Sequence, residues 1–310
     1  MRVGTKLAAA AVGSVLLVTT AACGSDTSST GGDGARKGSI DIGQVKADPA
    51  VEKLVPADVK KRGSLTMAAD LHYPPTSFLA EDNKTPIGYN VEIAQLLGKK
   101  MGLKIKIKNV SFDSVIPGIS AGRYDFTATN MTPTPERLQV LDMVKYWSDG
   151  SSVVVSKGNP QKFTMAGDYQ SFCGRKMAVI TGTTQQETYV PQISAACKAN
   201  GKSAIDSVVL PNVQAALTQL SSKRIEAVFY DTPSLAWAAK QQPQAFELLP
   251  KQYVKKEGDN IVALGLDKGS PLTPALHAAM QSLIDGPEYK ATLDKWGLGS
   301  GAIPSASVAK

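Results

Sequence analysis

Histidine occurs only twice in 310 residues and cysteine three times, with no Cys-x-x-Cys pair. That inventory gives structural zinc no ligand set, and no metal or cofactor is expected. Aromatic residues make up 6 % of the chain, and no Gly-rich or aromatic module accompanies the basic residues, so a nucleic-acid partner is not expected. Beyond residue 22 there is no long apolar run, so nothing downstream reads as a transmembrane segment. The formal charge is +7, and the cations are scattered among 27 acidic residues. Lys104, Lys106 and Lys108 alternate with Ile105 and Ile107, as on the solvent face of a strand. No sequence repeat is present.

The first residues form a secretory signal. Arg2 and Lys6 are followed by apolar or small residues from 7 to 22, with Ala21-Ala22 before Cys23. The run Leu16-Leu17-Val18-Thr19-Thr20-Ala21-Ala22-Cys23 resembles the bacterial lipobox, which implies cleavage before Cys23 and a lipid on its thiol. The apolar stretch falls short of the ~20 residues that span a bilayer. The mature chain is therefore expected outside the cytoplasm, attached to the cell membrane by its N-terminal lipid. Cys173 and Cys197 then remain as a pair in an oxidising compartment, and a disulfide is expected.

Strands and helices alternate through the rest of the chain. Leu65–Ala69, Lys104–Val110 and Tyr124–Ala128 read as strands around a helix at Val91–Met101 and a short one at Asp113–Ser120. The pattern restarts with strands Val153–Val155, Met177–Thr181, Ser207–Leu210 and Ala227–Tyr230, and with helices Gln185–Ala199 and Val213–Ser222. A strand at Ile261–Leu266 and two C-terminal helices follow. This spacing predicts an α/β chain with mainly parallel sheets in two lobes. The expected organisation is signal 1–22, linker 23–44, first lobe 45–151, second lobe 152–257, a return to the first lobe over 258–298, and a tail 299–310. Extended segments near 152 and 257 would join the lobes, leaving a cleft at the carboxyl ends of the strands, where open α/β sheets bind ligands.

Seven ordered motifs make the reading specific. They are Asp70-Leu71-His72-Tyr73-Pro74-Pro75, Gly88-Tyr89-Asn90-Val91-Glu92, Phe112-Asp113-Ser114-Val115-Ile116-Pro117-Gly118, Ala121-Gly122-Arg123-Tyr124-Asp125, Thr132-Pro133-Thr134-Pro135-Glu136-Arg137, Gly182-Thr183-Thr184-Gln185 and Asp231-Thr232-Pro233. Across residues 60 to 298 the chain resembles the polar amino-acid-binding, family 3 solute-binding proteins of ABC importers. The resemblance implies a two-lobed type II periplasmic-binding-protein fold with a hinge between the lobes. It also implies an amino acid as ligand, a membrane permease as partner, a monomer, and no chemistry of its own.

Site roles carry over position by position. Arg137 matches the residue that grips the ligand α-carboxylate, a task for a planar guanidinium with paired donors. The amides of Thr183, Thr184 and Gln185, between a strand and a helix, would share that carboxylate. Asp231 matches the acid on the α-ammonium, helped by Thr132 and by acceptors near Thr129 and Asn130. Asp231 could equally cap the following helix. Tyr73 and Phe112 match the aromatic walls around the ligand side chain. Asp70 matches the acid that reaches that side chain; left unneutralised between two aromatic faces, it would favour a cation. Ile180 stands where glutamine-binding members carry Lys and basic-amino-acid members carry an aliphatic residue. The expected ligand order is thus a basic amino acid first and glutamine second. Asn90, where the family has an acid, is read as a helix-start residue concerned with capping, and His72 as a bystander at the cleft rim. A dehydratase-like enzyme on the same fold and a sensory module are the alternatives.

Overall fold

The computed structural model describes residues 40–165, 169–253 and 260–310. The signal, Cys23 and the second crossing near 257 lie outside these. Two short helices, α1 (Pro49–Leu54) and α2 (Ala57–Arg62), lead into β1 (Ser64–Ala69). A small antiparallel sheet of β2 (His72–Tyr73), β3 (Ser77–Leu79) and β4 (Pro86–Ile87) follows. Then come α3 (Tyr89–Lys100), β5 (Lys104–Asn109), α4 (Val115–Ser120), β6 (Phe126–Met131), α5 (Pro135–Val140) and β7 (Leu141–Ser148). The second lobe holds β8 (Ser151–Ser156), β9 (Lys176–Ile180), α6 (Val190–Ala199), β10 (Asp206–Leu210), α7 (Val213–Ser221), β11 (Ala227–Asp231), α8 (Thr232–Gln241) and β12 (Phe246–Leu248). The chain returns through β13 (Ile261–Asp267), α9 (Thr273–Asp285) and α10 (Pro287–Trp296) to end near β14 (Ser307–Val308).

The first sheet runs β14-β7-β13-β6-β1-β5 and the second β10-β9-β11-β8-β12. Both are mixed, where mainly parallel sheets were expected. Only β5, β1 and β6 in the first and β10, β9 and β11 in the second are parallel neighbours. The cause is the crossing between lobes. Asp149-Gly150 passes the chain from β7 to β8 without a helix, so β8 enters antiparallel to β11, and β13 returns antiparallel between β6 and β7. Asp149 N–H donates to Asn260 O at 2.6 Å, and Tyr253 N–H to Ser151 O at 2.7 Å, which holds the outgoing and returning strands together.

α3 forms because Tyr89, Val91, Ile93, Ala94, Leu96 and Leu97 all bury against the first sheet, at about 1.5–3 kcal/mol for each large side chain. Lys104, Lys106 and Lys108 are exposed, as expected of β5. Residues 299–310 pack on the first lobe: β14 pairs with β7, and Ile303 N–H donates to Tyr289 Oη at 3.0 Å. Cys173 and Cys197 are joined by a disulfide with Cα atoms 5.6 Å apart. Among the described residues no helix is long and apolar enough to cross a membrane.

Candidate functional site

The carboxyl ends of β1, β5, β6, β9 and β11 supply the candidate residues. β1 ends at Ala69, and Asp70 follows, 1 % exposed. Its Oδ1 lies 2.5 Å from His72 Nδ1, and its Oδ2 accepts from Phe112 N–H at 3.0 Å. Asp70 is therefore not a free carboxylate: both of its oxygens already have a partner inside the first lobe. Burial raises its pKa, while the contacts with His72 and Phe112 act the other way. Tyr73 turns to the opposite face of β2 and stacks on Tyr230 of the second lobe, ring centroids 5.1 Å apart. Burial pushes both phenols up, with the Asp70 and Asp231 carboxylates adding to it.

β6 delivers Thr129 and Asn130. Thr129 Oγ1 is 3.0 Å from Thr127 Oγ1. Asn130 is left-handed at φ 54°, a conformation its short polar side chain tolerates, and its amide is held inside. Its Oδ1 accepts from Asn90 and from Tyr146 Oη, and its Nδ2 donates to Thr76. Asn90 is thus not a cap. It sits one residue inside α3 with its side chain bonded to Ser77, Asn130 and Tyr146, a buried polar network behind the site.

Thr134 caps α5, accepting from Arg137 N–H, and so fixes where the guanidinium starts. Arg137 is 6 % exposed. It donates to Thr132 O at 3.0 Å and, across the lobes, to Gly182 O at 2.8 Å, and lies 5.6 Å from the Phe112 ring centre. Burial pulls its pKa down and Glu187 and Asp231 oppose that, so the cation keeps its charge.

In the second lobe Ile180 is fully buried at the end of β9, in the apolar cluster that includes Tyr73 and Tyr230. The turn that follows is tighter than expected. Gly182, at φ 74°, gives its N–H to Gln186 Oε1 at 2.6 Å, and Thr183 gives its N–H and hydroxyl to Ile180 O. Gln186 N–H is also taken, by Thr183 Oγ1, so the amides left for a ligand in this turn are those of Thr184 and Gln185. A Cβ on Gly182 would meet Asp113 Cβ of the first lobe at 3.3 Å, so the positive φ and the close approach both ask for glycine. Thr184 is buried, and the helix it opens begins with a π turn at Gln185–Tyr189. Gln185 Nε2 donates to Asp231 Oδ1 and to Ser151 Oγ, both at 2.8 Å. Asp231 stands at the cap position of α8, yet its side chain makes no capping bond.

The structure thus brings Arg137, Phe112, Asp70 and Tyr73 of one lobe against Gly182, Gln185, Tyr230 and Asp231 of the other. Sequence reasoning passed over Tyr230, Gln186 and the His72–Asp70 contact. Only the last had a legible signal, a histidine two residues after an acid on a strand end.

The model of bacterial extracellular solute-binding proteins, family 3, matches residues 65–299, and the chain belongs to that family. The arginine-binding protein ArgT of Corynebacterium glutamicum is 28 % identical over 260 residues, covering 84 % of this chain and 83 % of that one. The arginine-binding extracellular protein ArtP of Bacillus subtilis is 24 % identical over 236 residues, covering 75 % and 85 %. An ancestral arginine-binding protein bound to arginine superposes with a TM-score of 0.66 at 25 % identity, over 76 % of this chain and 98 % of that one. The family is extracellular and its members are two-lobed amino-acid receptors that work with ABC permeases.

Proposed function

We propose that this protein is the receptor of an ABC importer for a basic L-amino acid, with glutamine as the next candidate. Arg137 takes the α-carboxylate and Asp231 the α-ammonium. The observation that carries the reading is that the two charges come from different lobes and converge on one turn: Arg137 of α5 reaches across to Gly182 O, and Gln185, three residues on, holds Asp231 at the end of β11. Each is also held in place by the opposite kind of group, a carbonyl on Arg137 and an amide N–H on Asp231. A zwitterion offers stronger partners of the same two signs. By binding the closed arrangement better than an open one, it drives closure and presents a closed body to the permease. Tyr73 and Phe112 flank the ligand side chain, and Asp70 faces its far end.

The arginine-binding relatives support the basic class. The ancestral arginine-binding protein is also known bound to glutamine, with a TM-score of 0.67 at 25 % identity, which supports the second place in the order. Thermal-shift measurements across the twenty amino acids and ornithine test the assignment. Arginine, lysine, ornithine or histidine should give the largest stabilisation, and a response confined to glutamate or aliphatic residues would overturn it. Cys23 is proposed as the lipidated N-terminus. Replacing Cys23 by Ala should release the protein from membranes or retain an unprocessed precursor, and an unchanged size together with an unchanged membrane fraction would refute the tether.

A further inference from the structure

We infer that His72 is a specificity-setting residue: through its contact with Asp70 it controls the charge presented to the ligand side chain, and so the preference for a cationic over a neutral one. The inference rests on the basic-amino-acid reading above. Asp70 is almost wholly buried, whereas the His72 side chain is 46 % exposed. The pair therefore connects a sequestered carboxylate to solvent through one imidazole. The backbone fixes that arrangement. His72 pairs with Phe78 in the β2–β3 ladder, and strand alternation turns Tyr73 toward Tyr230 while His72 keeps the rim.

An ionised Asp70 can only accept, so its contact with a neutral imidazole requires the hydrogen on Nδ1. The carboxylate then keeps its full negative charge, and each oxygen has a further lone pair beyond the bonds to His72 and Phe112. A guanidinium or ammonium on the ligand can use them. Protonating His72 makes the pair neutral overall and places a second cation beside the ligand's own. A neutral side chain of the same shape is nearly indifferent to that change.

The other charged or titratable groups around the pair are Tyr73, Tyr230, Asp113, Asp231 and the Arg137 guanidinium over Phe112. Carboxylates, phenols and guanidinium groups ordinarily change charge outside the pH range of 5 to 8, where imidazole ordinarily does so. Burial raises the Asp70 carboxyl, and its contacts with His72 and Phe112 oppose that. A variant lacking the imidazole separates its titration from that of Asp70.

The experiment compares L-arginine with L-citrulline, which replaces the guanidinium by a neutral urea, by calorimetry on the full chain at about pH 8 and about pH 5.5. Taking the ratio of the two dissociation constants cancels effects on the carboxylate and ammonium clamp. In the wild type the preference for arginine should fall about tenfold on acidification. In His72→Asn, which retains an N–H donor and does not titrate, the preference should stay constant between the two conditions. A flat ratio in the wild type, or an unchanged slope in His72→Asn, overturns the inference while leaving the receptor reading intact. If neither ligand binds at either pH, the basic-amino-acid reading fails and this inference with it.

Discussion

The two lobes hold their strand ends in place by different means. The first is discontinuous in sequence, and non-local bonds close it. Asp48, which caps α1, accepts from Ser282 Oγ of α9 at 2.8 Å, and Lys100 pairs with Glu288. The second lobe lies in one stretch of chain and carries the covalent tie, Cys173 to Cys197, 24 residues apart. Its core is aromatic around Tyr189, Phe229 and Tyr253. A lobe assembled from distant segments is stabilised by each segment docking on the others. In the contiguous lobe the cross-link adds a restriction on the unfolded chain over its 24-residue separation.

The clamp breaks this comparison most severely, because it needs one charge from each lobe. Arg137→Ala and Asp231→Ala should each weaken amino-acid binding by roughly 2–5 kcal/mol, since truncating one member of a desolvated charge pair leaves its partner uncompensated. That is at least about a thirtyfold loss in calorimetry. A wild-type isotherm from either variant would refute the division of labour between the lobes.

The disulfide sharpens it. Replacing Cys173 and Cys197 by Ser should lower stability by about 3 kcal/mol in the chain-entropy account of a loop of this size. Ligand affinity should hardly move, because the bridge ties the turn before β9 to α6 and touches none of the clamp residues. A melting temperature equal to the wild type, or affinity lost in step with stability, would show that the second lobe is not held as described.

Much of this arrangement is legible from sequence where an element is long and periodic. α3, β9, α7 and the two C-terminal helices were all readable from their apolar spacing. β7 was not, because its burial follows no two-residue alternation, Asp142 and Lys145 break the apolar run, and its partner β13 lies more than a hundred residues on. The two-residue strands β2, β4 and β14 carry too little pattern to be read at all. The same holds within the site. The positions of Arg137 and Asp231 follow from motifs, but their partners come from packing: Gly182 meets Arg137 across the lobes, and Gln185 meets Asp231 inside the second lobe. Asn90 looked like a capping residue because its neighbours define a helix start; its role in the polar network depends on Tyr146, 56 residues away.

The last strand has a consequence for how the molecule keeps its own company. The family region ends at residue 299, and the eleven residues that carry β14 lie beyond it. They seat against Trp147, where a Cβ on Gly301 would fall 2.1 Å from the indole nitrogen, and β14 covers the outer rim of β7. Without that cover, the outward groups of β7 around Val144 and Lys145, the two residues that β14 pairs, would lie open along the sheet border, an invitation to a neighbouring copy's strand. β14 itself is short and exposed and offers only two residues for such pairing, so a fragment trimmed to the family boundary should self-associate more readily than the full chain.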